Sequence, residues 1–291
     1  MPPRAAAVPE IHYRMSAPVP GGFPGHHRSR RGDSGFEFRG HVALLDAPDP
    51  RRLDLHASLR DPFGDWRVRV YSQRRSIPVV LVADLSASMG FTGLRRKPDV
   101  LADFVASLAW SVWRTGDRFG FVGCDDGVRA DLLQPATRDR AAGPRLAAAL
   151  REWAPAGRSA GSAAGLLAAG RWLGRQRALV FLVSDFHLPT TLLRDVLQSL
   201  AAHEVVPVVL WDPAEFSLRA TRGLARAFDP ESGSERLVWW RPGLRERWRQ
   251  AHADRRACLL RSFAASRLHP LFIEGGFDAD AVTRHFHRSQ R

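Results

Sequence analysis

The chain has 291 residues, of which 45% are hydrophobic and 25% are charged, as in ordinary soluble globular proteins. No apolar stretch approaches the roughly 18 residues that a membrane-spanning helix needs, and Met1 to Tyr13 lacks the apolar core of a signal peptide. Because Cys124 and Cys258 are the only cysteines, a disulfide framework is not indicated and a reducing compartment is favoured. We therefore expect a cytoplasmic protein with no membrane span.

The formal net charge of +13 comes from 43 basic and 30 acidic side chains. Most of this excess falls outside residues 77–212, and Lys97 is the only lysine. An arginine-rich, alanine-rich chain is typical of a genomic compositional bias, and no basic cluster interleaves with aromatic residues as in a nucleic-acid groove. The charge therefore favours an acidic protein partner over nucleic acid. An arginine-rich binder of nucleic acid or of a membrane surface stays an alternative.

In the N-terminal quarter of the chain, the sequence predicts an irregular stretch that is followed by short strands. Residues 1–30 are rich in Pro, Gly and Ala, which predicts an irregular lead-in. Residues 31–76 predict a small β-rich subdomain with strands at Phe36–Val42 and Trp66–Tyr71. In the second of these strands apolar residues alternate with arginines, a pattern that indicates one buried face.

The rest of the chain alternates apolar runs with amphipathic segments. The runs Val79–Ala83 and Leu179–Val183 contain no polar residue, which is typical of strands buried on both faces of a parallel sheet. Strands that alternate with helices predict a doubly wound, mostly parallel α/β domain over residues 77–291. Within it we expect an antiparallel hairpin at Phe119–Leu133, and late strands at Arg236–Trp240 and Leu271–Glu274 that extend the sheet.

Polar side chains follow both of these buried strands. Asp84, Ser86 and Ser88 come at alternate positions after the first strand, and Ser184 and Asp185 follow the second. Right-handed crossovers bring the carboxyl ends of parallel strands to one edge, so Asp84 and Asp185 are expected to face the same crevice. Oxygen donors of low total charge suit a hard divalent cation, Mg²⁺ above all, with Mn²⁺ or Ca²⁺ as alternatives.

A purely structural interpretation of this cluster is also available. Ser86 and Ser88 would cap the following helix, and Asp84 would accept hydrogen bonds from backbone donors. Two strand ends with the same chemistry argue against it. One or two carboxylates under-neutralise a dication, so an incoming Asp or Glu gains Coulomb attraction and a coordination bond. The pattern thus suits binding an acidic partner. That role would be overturned if Asp84 and Asp185 lay on opposite sides of the molecule, or if either formed a salt bridge with a neighbouring arginine.

An Asp-x-Ser-x-Ser sequence after a buried strand, with a later hydroxyl-bearing loop and a second strand-end Asp, resembles the metal-ion-dependent adhesion site of von Willebrand factor A-like domains. The resemblance implies that all three residues of the first element bind the cation directly and that Asp185 acts through water. The family's middle-loop Thr corresponds to Ser159 or Ser162, with Ser159 favoured by the preceding Gly-Arg. The remaining coordination position would take a partner's carboxylate.

Further segments resemble the bacterial von Willebrand A-like proteins that accompany MoxR-type AAA+ ATPases. They include Asp49–Asp54, Arg69–Tyr71 and Asp229–Gly233. The resemblance implies a non-catalytic adaptor that works with such an ATPase in maturing a client enzyme or inserting its cofactor or metal. Methanol dehydrogenase is a candidate client.

A hydrolase or phosphotransferase that uses the Asp84 crevice stays an alternative. Asp84-Leu-Ser86 is similar to an aspartyl-nucleophile motif, but such enzymes usually carry a second Asp where Ser86 stands, as the general acid. Gly32–Gly35 imitates part of a serine-protease signature without a plausible His/Asp scaffold. The chain also lacks a phosphate-binding Gly-x-x-x-x-Gly-Lys sequence, so any ATP hydrolysis is expected to come from a partner.

Overall fold

The computed structural model describes most of the chain, in eight ranges. They are residues 8–15, 24–28, 37–72, 74–155, 163–216, 223–228, 234–240 and 242–288. Two of the expected ligands, Ser159 and Ser162, lie outside these ranges, as do the Gly32–Gly35 and Asp229–Gly233 segments.

Short strands and a short helix make up the N-terminal part. In chain order they are β1 (Pro24–Arg28), β2 (Glu37–Ala43), α1 (Leu55–Leu59), β3 (Arg67–Ser72) and β4 (Arg74–Arg75). β2 pairs antiparallel with β3, and β1 pairs antiparallel with β4. Of the alternating apolar residues expected on a buried face, Val68 is buried in β3, whereas Trp66 precedes the strand and is 55% exposed.

From Pro78 onward strands and helices alternate. In chain order they are β5 (Pro78–Asp84), α2 (Lys97–Arg114), β6 (Arg118–Cys124), β7 (Val128–Thr137), α3 (Ala142–Glu152), α4 (Leu166–Ala169), β8 (Leu179–Ser184), α5 (Thr190–Ser199), β9 (Glu204–Trp211), α6 (Pro213–Phe216), β10 (Gly223–Phe228), β11 (Glu235–Trp240), α7 (Pro242–Ala265), β12 (Leu271–Glu274) and α8 (Ala279–Arg288). Among the described helices, none combines the length and the apolar composition that crossing a bilayer requires.

The central sheet is doubly wound. Within the described residues six strands form it, in the order β7-β6-β5-β8-β9-β12. Neighbouring strands are parallel except at one edge, where β7 pairs antiparallel with β6 as the predicted hairpin. This order confirms the predicted doubly wound α/β fold with a mostly parallel sheet. β12 extends the sheet as expected. The strand expected at Arg236–Trp240 is present as β11, but its place was wrong, because it pairs antiparallel with β10 in a separate two-stranded sheet.

Apolar layers cover both faces of the sheet because side chains along each strand point alternately to opposite sides. On one side Val79, Leu81 and Ala83 of β5 pack into the layer that contains α2, α3 and α8. On the other side Val80 and Val82 pack into the layer of α4, α5 and α7. Every residue of β5 is therefore buried, and polar groups gather where the parallel strands end.

Candidate functional site

The crevice lies where the chain switches direction across the sheet. The chain leaves β5 toward β6 and later returns at β8 on the other side, so the loops after β5 and β8 separate at this point. In doubly wound sheets ligands bind in the crevice that such a switch leaves beyond the carboxyl ends of the strands. Asp84 is the last residue of β5, and Asp185 directly follows the last residue of β8.

Asp84, Ser86 and Ser88 come together in the loop after β5. Oδ1 of Asp84 accepts a hydrogen bond from the backbone N–H of Ser86 at 2.8 Å, and Oδ2 accepts one from the Ser184 hydroxyl at 2.6 Å. The hydroxyl oxygens of Ser86 and Ser88 are 3.2 Å apart. All four side chains are buried.

The two serines of this loop do not act as helix caps within the described structure. Ser86 precedes a short 3₁₀ turn at Ala87–Gly90, and its side chain makes no capping hydrogen bond there. Ser88 lies inside that turn, and the next helix, α2, is preceded by Arg96, again without a side-chain cap. The structural interpretation thus applies to Asp84, which does bind a backbone donor, and not to the serine hydroxyls.

A lysine holds Asp185. Oδ2 of Asp185 accepts a hydrogen bond from Nζ of Lys97 at 2.7 Å, and Oδ1 accepts one from the backbone N–H of His187 at 3.1 Å. The Lys97 ammonium also lies 2.8 Å from Oε1 of Glu215, and the Lys97 side chain is 2% exposed. The partner in this ion pair is a lysine and not the arginine whose salt bridge would overturn the docking role, but the pair occupies Oδ2 of Asp185.

The turn after β8 fixes the directions of the Ser184 and Asp185 side chains. Phe186 adopts a left-handed backbone with φ 54°, which is uncommon for a residue with a bulky side chain. Its N–H donates to the Ser184 hydroxyl at 2.8 Å, and Arg255 of α7 donates to its carbonyl oxygen. Strained backbone of this kind is frequent at functional sites.

The end of β9 contributes a third aspartate, which organises the loop before α2. The Asp212 carboxylate accepts hydrogen bonds from the backbone N–H of Leu94 at 2.8 Å and of Arg95 at 3.3 Å. A Cβ at Gly93 would lie 2.3 Å from Oδ1 of Asp212, so only glycine permits this close approach. Because α2 begins two residues after Arg95, the contact determines where Lys97 enters the crevice.

Burial and charge set the two neighbouring aspartates apart. Burial and the adjacent Asp185 together raise the pKa of the Asp84 carboxyl to about 6. Burial also acts to raise the pKa of Asp185, but the Lys97 ammonium outweighs it and holds that pKa below its usual range. Asp185 and Lys97 therefore form an ionised pair, whereas Asp84 has no cationic partner among the described residues.

The donors around Asp84 fit a small, hard cation. Neighbouring ligands of octahedral Mg²⁺, at about 2.1 Å from the ion, are about 3.0 Å apart, close to the spacing between the hydroxyl oxygens of Ser86 and Ser88. In the described part of the chain no three His, Cys, Asp or Glu side chains are grouped to hold a metal, so a site here depends on hydroxyls. Asp185 fits only an outer position, because Lys97 occupies its Oδ2.

The expected middle-loop ligand stays a prediction, since Ser159 and Ser162 lie outside the described residues. Pro155, the last described residue before them, packs against the loop that carries the first ligands. A Cβ at Gly90, two residues after Ser88, would lie 2.2 Å from Cγ of Pro155. The chain thus passes next to the crevice just before the expected ligands.

Residues 48–258 match the family described as "Protein of unknown function DUF58". The chain belongs to this family. A protein of Paracoccus denitrificans, described as an uncharacterized protein in the moxR 3' region, is 37% identical over 101 residues, which are 35% of this chain and 96% of that one. An uncharacterized protein of Mycobacterium bovis is 26% identical over 262 residues, which are 90% of this chain and 81% of that one.

A solved structure is also similar at low identity. The conserved hypothetical protein BatB from Bacteroides thetaiotaomicron aligns with 74% of this chain and 98% of its own, at 11% identity and a TM-score of 0.42. Similarity at this level says nothing about the site. The chemistry of the crevice therefore rests on the side chains of this chain.

Proposed function

We propose that the chain is a non-catalytic, divalent-metal-dependent adaptor that binds an acidic group of a partner protein at the Asp84 crevice. The observation that carries this proposal is the pairing of a buried carboxylate with two hydroxyls at ligand spacing. Asp84 is almost completely buried and has no cation opposite it within the described ranges, while the Ser86 and Ser88 oxygens lie 3.2 Å apart. A buried carboxylate without a counter-charge is costly, and a bound cation relieves that cost.

A bound Mg²⁺ would supply a coordination position that a partner's carboxylate can fill. The residues of the chain do the rest. Asp84, Ser86 and Ser88 would hold the cation, Asp185 would act through water, and Ser159 or Ser162 would add a further hydroxyl. Because this set carries few negative charges, an acidic group from outside gains both charge attraction and a bond.

The partner we propose is a MoxR-type AAA+ ATPase, together with a client enzyme whose cofactor or metal it helps to insert. The relative of Paracoccus denitrificans encoded in a moxR 3' region supports the ATPase part. Ser58–Gly64, Ser184–His187 and Leu210–Asp212 resemble the MxaS protein of methanol-oxidation gene clusters, which is why methanol dehydrogenase is our candidate client. A cytoplasmic location is part of the same proposal.

Affinity capture tests the proposal. Tagged wild-type chain, Asp84→Ala and the exposed control Asp139→Ala are incubated with purified MoxR-type ATPase of the same genome, in Mg²⁺ and in chelator. We expect wild type and the control to retain the ATPase in Mg²⁺ only, and Asp84→Ala to lose it. Equal capture by Asp84→Ala and wild type would remove the metal from the function. Phosphoester turnover by wild type that Asp84→Asn abolishes would favour the hydrolase or phosphotransferase alternative.

A further inference from the structure

Lys97 lies inside the candidate metal site. Its Nζ atom is 2.7 Å from Oδ2 of Asp185 and 2.8 Å from Oε1 of Glu215. The same atom is 3.4 Å from the carbonyl oxygen of Ser88, whose hydroxyl is a proposed ligand. The ammonium group is thus located among the residues that would surround the cation.

The fold holds the ammonium in this position through several elements. Lys97 is the first residue of α2, and the loop that leads to it is bound by Asp212 at the end of β9. Its Nζ also lies 5.8 Å from the centre of the Phe91 ring, within the range of a cation–π contact. With 2% of its side chain exposed, Lys97 has little room to turn outward.

As a result, the carboxylates of the crevice are not equally neutralised. Asp185 and Glu215 share the Lys97 ammonium, while Asp84 on the other side of the crevice faces hydroxyls and a backbone N–H. A dication that binds at Asp84 is attracted by that carboxylate and repelled by the ammonium, and in a buried site both effects are stronger than in water. Lys97 also occupies one of the two carboxylate oxygens of Asp185, and the His187 N–H binds the other.

We propose that Lys97 is a built-in counter-cation that weakens divalent-metal binding at Asp84 and so makes metal binding depend on the acidic partner. This inference rests on the proposed function. Without a partner the ammonium offsets part of the negative charge that the metal requires. A partner carboxylate restores that charge, and by thermodynamic reciprocity the metal strengthens partner binding by the same factor. Metal binding and partner binding are therefore cooperative.

Calorimetric titration of the full chain with Mg²⁺ tests this inference. Lys97→Met removes the ammonium and is expected to bind Mg²⁺ at least tenfold more tightly than wild type. Glu215→Gln leaves the ammonium with Asp185 alone and lowers the negative charge, so it is expected to bind at least threefold more weakly. Arg145→Gln, which removes an exposed positive charge paired with Asp139, is the matched control and should leave the affinity unchanged.

Lys97→Met also leaves two buried carboxylates without their partner, so its folding must be followed separately. We expect a lower Tm than wild type in chelator and a larger rise of Tm with added Mg²⁺, because tighter binding to the folded state stabilises it more. If Lys97→Met does not fold even in Mg²⁺, the Glu215→Gln variant tests the inference in its place. A Mg²⁺ affinity of Glu215→Gln equal to or above that of wild type overturns the inference. Lys97→Met that folds and binds Mg²⁺ no more tightly than wild type overturns it as well.

The outcomes separate this inference from the proposed function. If Asp84→Ala abolishes Mg²⁺ binding while Lys97→Met leaves it unchanged, the metal-dependent adaptor stands and the role of Lys97 falls. If Lys97→Met binds more tightly but Asp84→Ala still captures the ATPase, the role of Lys97 stands and the adaptor falls. If neither wild type nor Lys97→Met binds Mg²⁺, both are overturned.

Discussion

Aspartates are buried at both ends of the sheet, and Asp117 and Asp84, one from each end, differ in how the chain satisfies them. At the amino end of β6, Asp117 accepts hydrogen bonds from the Ile77 N–H at 2.9 Å, the Tyr13 hydroxyl at 2.6 Å and the Thr115 hydroxyl at 3.1 Å. At the carboxyl end of β5, Asp84 accepts from a backbone N–H and a serine hydroxyl and faces further hydroxyl oxygens. Both aspartates are buried almost completely.

The difference separates a structural carboxylate from a candidate ligand. Burial and the nearby Asp117 charge raise the pKa of Tyr13 well above its usual range, so this phenol keeps its proton and remains a donor. Asp117 thus accepts hydrogen bonds from neutral donors of its own chain. Asp84 lies beside oxygens that can turn their lone pairs toward a cation. Burial of a polar side chain therefore does not by itself identify a functional site. The chemical nature of the neighbouring groups does.

The largest effect is expected from Asp117→Ala at the amino end. The change leaves the Ile77 N–H buried without its acceptor and removes one hydrogen-bond partner from the Tyr13 hydroxyl and one from the Thr115 hydroxyl. It should lower the free energy of unfolding by about 3 to 5 kcal/mol. Urea unfolding measures the loss, and a Mg²⁺ titration of the folded variant should match wild type. A loss below about 1 kcal/mol would show that Asp117 is not the structural anchor of that end.

Gly93→Ala should have the next largest effect, at the carboxyl end. The new Cβ would collide with the Asp212 carboxylate, so the loop before α2 must shift and lose its hydrogen bonds, at a cost of about 2 to 3 kcal/mol. Gly127→Ala is the control, because a Cβ there meets nothing within 4 Å, and it should change stability by about 0.5 kcal/mol or less. Equal melting curves for the two variants would contradict the role of Asp212.

Asp84→Asn should stabilise the metal-free chain above neutral pH, by about 1 to 3 kcal/mol. The folded-state pKa of Asp84, about 6, is above the usual value of 3.8, so between these values the native state binds more protons than the unfolded state. Stability of wild type in chelator should therefore fall as pH rises from about 4 to about 6. Asp84→Asn should not show this loss of stability between about pH 4 and about pH 6. Parallel profiles of stability against pH for the two proteins would contradict the prediction.

Tyr13→Phe should give the smallest change. It removes one hydrogen bond to Asp117 and leaves the other donors in place, so a loss of about 1 kcal/mol is expected from urea unfolding. Asp117→Ala and Tyr13→Phe combined should cost less than the sum of the two, because they share a contact. Strict additivity would mean that the Tyr13 hydroxyl stabilises the fold through its contact with Thr115 and not through Asp117.

Much of the fold was predictable because its signals are local. The unbroken apolar runs of β5 and β8 indicate buried parallel strands, and the polar residues that follow them indicate the edge where a crevice forms. β10 was not identified, since Gly223–Phe228 mixes small, apolar and charged residues without a clear period and forms a strand only by pairing with β11.

The role of Lys97 could not be read from the sequence in the same way. Lys97 reaches the crevice because the loop before α2 binds Asp212, which is more than a hundred residues away along the chain. Its partner Glu215 lies in α6, beyond the end of β9. The one available signal was that this arginine-rich chain contains a single lysine. Which middle-loop serine, Ser159 or Ser162, completes the ligand set stays a prediction.

The most direct test of the account is an anomalous difference map from crystals of the chain soaked in Mn²⁺. We expect a peak within about 2.2 Å of the hydroxyl oxygens of Ser86 and Ser88 and of a carboxylate oxygen of Asp84. Asp185 should remain on Lys97 in the same map. An ordered crevice with no peak at Asp84, in a crystal that binds Mn²⁺ elsewhere, would contradict the metal site and the adaptor function built on it.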